Sequence, residues 1–117
     1  MPKKVTLARA FASFEERWAP RIVASYEGHE VRIAKLEGEF TWHAHAHDEL
    51  FLVVDGELDI ELQDRTETLG PGELLLVPRG TQHRPVARHG VAQVLLLDPA
   101  DAPNTGDDAT ATKAVAL

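Results

Sequence analysis

A chain of 117 residues, 44 % hydrophobic and 26 % charged, is long enough for one globular domain with its own core. Nineteen acidic against twelve basic side chains give a net charge of −7, which argues against binding to nucleic acid or to an acidic membrane surface. Cysteine is absent, which excludes disulfides, thiolate metal ligands and cysteine nucleophiles. The apolar runs are short and the basic start lacks a long apolar stretch, so no membrane span and no signal peptide are expected, and the expected location is the cytoplasm.

Residues 6–18 predict a helix. Leu7, Ala10, Phe11, Phe14 and Trp18 recur at spacings of three and four, a stripe suited to covering a core, and Pro20 ends it. From Arg21 the texture becomes that of strands. Residues 21–26 alternate weakly, Gly28 marks a turn, Val31 and Ile33 alternate with Arg32 and Ala34, and residues 50–54 form an apolar run. Asp55-Gly56 signals a hairpin. Leu58, Ile60 and Leu62 then alternate with acidic residues, giving a strand with one wet face. After a turn at 63–65 and the Gly70-Pro71-Gly72 break come two more apolar runs, residues 74–77 and 91–97, both suited to strands covered on two sides. About eight or nine short strands with turns between them, and no long helix after the first, indicate an all-β sandwich or barrel rather than α/β layering. The expected organisation is an N-terminal helix or arm over 1–20, a β-barrel over 21–98 and an extended tail over 99–117.

The chemistry concentrates in the histidines, three of which fall within five residues: His43, His45 and His47. Residues i and i+2 of a strand share a face, so His43 and His45 stand side by side. If the chain turns after them and re-enters a strand, the Glu49 carboxylate can face the same point. His83 opens a later strand after the tight turn at Pro78 to Gly80. In an antiparallel barrel that strand can face the first pair across the lumen. Three imidazoles and one carboxylate suit a divalent transition metal such as Fe, Mn, Ni, Cu or Zn.

HAHAHDELFLVVDG reads as HxH, three residues, E, six residues, G; GELLLVPRGTQH reads as G, five residues, P, one residue, G, two residues, H. Together they resemble the paired motifs of the cupin superfamily, with a gap of fifteen residues between Gly56 and Gly72. The motif region covers residues 38–83, and the likeness extends to about 21–97. Two positions depart from the pattern: Gly38 stands one residue closer to the first histidine, and Ala87 occupies a place usually held by Asn. The resemblance implies an antiparallel double-stranded β-helix, the jelly roll, with a short N-terminal helix, and metal ligands at His43, His45, Glu49 and His83. More narrowly, FEERWAPRIVA and DPADAPNTGD are similar to segments of small stand-alone bacterial cupins, some labelled mannose-6-phosphate isomerase-like. It also implies a homodimer and a small-molecule ligand.

The remaining residues read as follows. His47 falls in a loop, where it can support the ligands or carry a proton near the mouth. His29 and His89 sit in turns and are solvated. Trp42 has the opposite parity to His43 and points out of the lumen. Phe51 and Val53 share the parity of Glu49 and face the lumen, with Ile33 and Gln93 as further candidate walls. Arg79 and Arg84 read as surface ion-pair residues, with binding of an anionic substrate as the alternative. Two open positions on a six-coordinate metal would admit a chelating substrate. Hence the expected function is metal-dependent turnover of a small polar or carbonyl-bearing metabolite, of dioxygenase or isomerase type. The alternatives are a non-catalytic module that senses a small ligand or metal, and a metal that merely staples the barrel.

Overall fold

A computed structural model describes residues 1–103 and 114–117. One short helix, α1 (Leu7–Ala12), precedes eight strands: β1 (Arg21–Tyr26), β2 (His29–Glu39), β3 (Glu49–Asp55), β4 (Leu58–Leu62), β5 (Thr66–Leu69), β6 (Leu74–Val77), β7 (His83–Pro99) and β8 (Val115–Ala116). Two long strands organise the roll. The C-terminal half of β7 pairs with β3 and with the first part of β2, while its N-terminal half pairs with β4 and with the end of β2. β6 adds to β3, β5 to β4, and β1 to the far edge of β2, all antiparallel. The sheet therefore folds over on itself as a jelly roll without closing into a barrel.

Alternation along these strands divides inside from outside. Ala34, Phe51, Val53, Leu58, Ile60 and Val94 belong to one buried cluster that fills the lumen. A second cluster lies outside the roll, where Ala10, Phe11 and Phe14 bury Ile33. Ile33 is therefore not a lumen wall. On β2 the inward set is Ala34 and Leu36, and Ile33 faces the helix instead. Gln93 is excluded by the same parity, because Ala92, Val94 and Leu96 are the β7 residues that point in.

The helix is half the expected length. Ser13 takes an αR conformation and both its N–H and its hydroxyl return to the Ala10 carbonyl, which closes the last turn. Beyond it the chain is captured by β2. Trp18 donates from its backbone N–H to Lys35 O at 2.9 Å and from Nε1 to Glu37 O at 3.0 Å. Sheet contacts here override a helical stripe that continues in the sequence.

Asp55-Gly56 is not a hairpin. β3 and β4 do not pair with each other; each pairs with a different part of β7. The dipeptide instead carries the chain from one half of the roll to the other, with Gly56 at φ +84°. His89 likewise lies within the continuous β7 rather than in a turn, although it is exposed. The last expectation, an exposed tail, falls partly on residues 104–113, outside the described residues; of the rest, Val115 and Ala116 pair in parallel with β1.

Candidate metal centre

His43 and His83 come together through their backbones. His43 N–H donates to His83 O at 3.0 Å and His83 N–H donates to His43 O at 2.9 Å. His45 follows in extended chain, its carbonyl accepting from Gly80 N–H at 2.8 Å, and Glu49 opens β3. The result is that His43, His45, Glu49 and His83, all buried, offer ligand atoms within 4.8 Å of one another. His45 Nε2 lies 3.3 Å and His83 Nε2 3.7 Å from Glu49 Oε1.

The outer edge of two rings is fixed. His43 Nδ1 lies 2.8 Å from Thr41 O and His83 Nδ1 lies 2.8 Å from Thr81 O. A carbonyl only accepts, so Nδ1 carries the proton and Nε2 presents a lone pair inward. Nε2 of His45 and of His83 is buried with no hydrogen-bond partner. Buried orphan acceptors are costly unless something binds them. Burial lowers the His43 pKa to about 4, with the Thr41 contact offsetting only part of this. Burial also opposes ionisation of Glu49, but its neighbours, His45 first and Asp98 with it, outweigh this and hold the carboxyl well below the ordinary range. A neutral imidazole, two orphaned imidazole nitrogens and an ionised carboxylate make a donor set that fits a divalent transition metal.

One residue of this site escaped the sequence reading. Asp98, only 2 % exposed, lines the same cavity as His43 and Glu49. Its Oδ1 has no hydrogen-bond partner. Burial and the adjacent Glu49 raise its pKa to about 9. Arg32 pulls the other way from 3.5 Å but is overcome, since its guanidinium is committed at 2.7 Å to Glu30 and at 3.0 Å to Ala102 O. The signal was present as a charge at an inward parity, following Val94 and Leu96 at the end of an apolar run.

The other expectations sort cleanly. His47 lies in the loop, its ring stacked on His45 at 4.7 Å and its Nδ1 4.0 Å from Asp98 Oδ1, so it contacts the site without joining the ligand cluster. Phe51 and Val53 face the lumen, and Trp42 points away from it and is 47 % exposed. Arg84 makes surface ion pairs with Glu39 and Glu61, and Arg79 lies 3.8 Å from Asp48. The walls that were not foreseen are Trp18 and Phe40, stacked at 4.7 Å, with Phe40 set edge-on to His43. The cavity they close measures about 40 Å³, room for a water or two. A wider, open cleft of about 810 Å³ between α1, β1 and β8 lies away from these groups.

A profile of the Cupin_2 family, described as a cupin domain, matches residues 29–98. The protein YdbB of Bacillus subtilis (strain 168) is 38 % identical over 86 residues, 72 % of this chain and 76 % of that protein. Among solved structures, a cupin-2 domain containing protein from Shewanella frigidimarina superposes with a TM-score of 0.79 at 34 % identity, over 81 % of this chain and 93 % of that one. KdgF from Halomonas sp. superposes with a TM-score of 0.61 at 31 % identity, over 68 % and 76 % respectively.

Proposed function

The chain belongs to the cupin family, and on that premise we propose that it is a metal-dependent enzyme acting on a small polar or carbonyl-bearing metabolite. His43, His45, Glu49 and His83 are the residues that would hold the ion. When bound, such an ion supplies Lewis acidity to a chelated oxygen, and iron, manganese, nickel or copper would also permit dioxygenation.

The observation that carries an enzymatic reading is Asp98. A metal used only as a staple has no need of a second buried acid beside its single carboxylate. Asp98, kept protonated at neutral pH by burial and the adjacent Glu49, can give a proton to a substrate oxygen from the side of Oδ1, which has no protein partner. Arg32 Nη1 lies 3.5 Å from the other oxygen, Oδ2. His47 Nδ1 stands 4.0 Å from the open oxygen, with 19 % of the side chain exposed. Trp18 and Phe40 keep bulk water from the ligand cluster. Proton transfer next to a chelated carbonyl is the shared element of isomerase-type chemistry on such substrates, and the residues favour that type over simple hydrolysis.

The test is turnover. Protein loaded with defined metals is screened against small diketones, sugar phosphates and hydroxy acids, with His45→Ala and Asp98→Asn in parallel. Metal-dependent product formation lost in both variants supports the reading; no turnover with any loaded metal overturns it. The second reading, a module that senses a small ligand, is favoured by the cavity of only about 40 Å³. It predicts ligand-dependent rises in Tm with no product.

A further inference from the structure

With His43 and Glu49 committed to an ion, the polar side chains left in the wall of the adjoining cavity are Arg32 and Asp98. Arg32 is the one cation lining that cavity among the described residues, and its donors are spent. A guanidinium has five N–H groups, and here all five face the chain itself. Nε and Nη2 donate to Glu30 Oε1 at 3.1 and 2.7 Å, and Nη2 also to Pro99 O at 3.3 Å. Nη1 donates to Ala102 O at 3.0 Å and faces Asp98 Oδ2 at 3.5 Å. The Arg32 side chain is 2 % exposed, so no water competes for these bonds.

The nearest other cationic and imidazole groups are also turned elsewhere. Lys35 follows Arg32 on β2 but shares the outward parity of Ile33, and its Nζ donates to Phe14 O at 2.6 Å. His47 Nδ1 lies 2.9 Å from Asp48 O, to which it donates. The rest of the cavity wall is apolar: Ala34, Leu36, Phe51 and Leu96 inside the roll, with Trp18 and Phe40 stacked on each other. A divalent ion with Glu49 as its only carboxylate keeps one uncompensated positive charge, which the chelating oxygens of a substrate can use. A second anionic group would be buried against hydrocarbon without a partner, and burying an unpaired charge is costly.

Taking the metal-dependent turnover proposed above as the basis, we infer that the substrate is a short, uncharged hydroxy ketone or diketone, its polar atoms at the chelating end and the remainder apolar. Sugar phosphates and dicarboxylates fall outside the range, because the only guanidinium that could receive their second charge already holds Glu30. The cavity of about 40 Å³ keeps the apolar remainder short. Specificity of this kind rests on what the site withholds from the wrong ligand as much as on what it offers the right one.

Calorimetric titration of the zinc-loaded full chain with two probes tests this. Hydroxyacetone and dihydroxyacetone phosphate share a hydroxy ketone head; the first ends in a methyl group and the second carries a phosphate on that carbon. Hydroxyacetone is expected to bind at least tenfold more tightly, with zinc content unchanged after either titration. Equal or tighter binding of the phosphate probe overturns the inference, and so does a failure of hydroxyacetone to bind. Glu30→Gln, which removes the charge paired with Arg32, is expected to narrow the preference at least threefold by improving the phosphate probe. An unchanged ratio in that folded variant overturns the role given to the Glu30–Arg32 pair. The two readings fail separately. Turnover of phosphate-bearing substrates keeps the enzymatic reading and overturns the uncharged substrate. A tenfold preference for hydroxyacetone without turnover of any substrate supports the ligand class and overturns the enzyme.

Discussion

His43 and His83, forty residues apart in the chain, are joined as a two-way backbone bridge, N–H to carbonyl at 3.0 and 2.9 Å. The bridge uses no side-chain atoms, so the ring of either residue can be removed without parting the two segments. His83→Ala is therefore expected to keep the strand content of the wild type and to lose bound metal. Metal affinity should fall at least a hundredfold, since this removes a proposed ligand rather than a supporting group. Elemental analysis alongside circular dichroism separates the two effects. His43→Pro, which removes the N–H donor, should lose both metal and thermal stability.

Asp98 is expected to separate binding from chemistry. Asp98→Asn keeps the shape and leaves the four-residue cluster intact, so metal content should stay at the wild-type level. Loss of a positioned proton carrier should lower kcat by about 10²–10⁴-fold. Turnover per bound metal equal to that of the wild type would remove Asp98 from the reaction.

Most of this centre was legible in the sequence because its spacings are local and its parity is strict. His43 and His45 share a face on any extended chain, and the Pro78-x-Gly80 turn sets His83 at the start of a strand. What stayed hidden depended on pairing between distant segments. Trp18 belongs to a helical stripe by spacing, yet Lys35 and Glu37 hold it on the sheet. Ile33 and Asp98 sit on opposite faces of the same sheet, and only the register of β2 on β7 tells which face is inside. Asp55-Gly56 has hairpin chemistry, but its flanking strands take separate partners on β7.

The pH dependence of the chelator-treated protein should carry two opposed signatures. His43 has a folded pKa lowered to about 4, so the unfolded chain binds the extra proton, and stability falls as pH drops from its ordinary value of 6.5 towards 4. Asp98 has a folded pKa raised to about 9, so the folded chain holds the extra proton, and stability falls as pH climbs from about 4 to 9. Between about pH 4 and 6.5 the two oppose each other. Above 6.5 only the Asp98 trend is left. Urea midpoints at pH 7 and 9 are expected to decline for the wild type and to be level in Asp98→Asn. Equal slopes in the two proteins would contradict the assignment.

Trp18 lines the cavity and braces Phe40, stacked 4.7 Å away at an interplanar angle of 13°. Trp18→Ala is expected to cost about 2 kcal/mol of stability, less than a fully buried aromatic because the side chain is only partly buried. It should also let larger chelators reach the ligand cluster, read as a gain in affinity for bulky hydroxy ketones relative to small ones at constant metal content.

Gly56 marks where the chain crosses between the halves of the roll, and the crossing is tight. A Cβ there would stand 2.6 Å from Val91 O and 3.0 Å from Ala92 Cα, both backbone atoms of β7 that cannot swing aside. Its φ of +84° adds a second penalty for any side chain. Gly28 and Gly72 share the positive φ, each at +82°, but a Cβ at either meets nothing within 4 Å. Gly28→Ala and Gly72→Ala are therefore expected to cost about 1 kcal/mol each, from backbone strain alone. Gly56→Ala should cost about 2–3 kcal/mol, the excess arising from the displacement of β7. Because Val94 and Asp98 lie further along the same strand, that displacement should also reach the metal centre. Urea unfolding measures the first effect. A weaker metal affinity in Gly56→Ala, but not in the two comparison variants, measures the second.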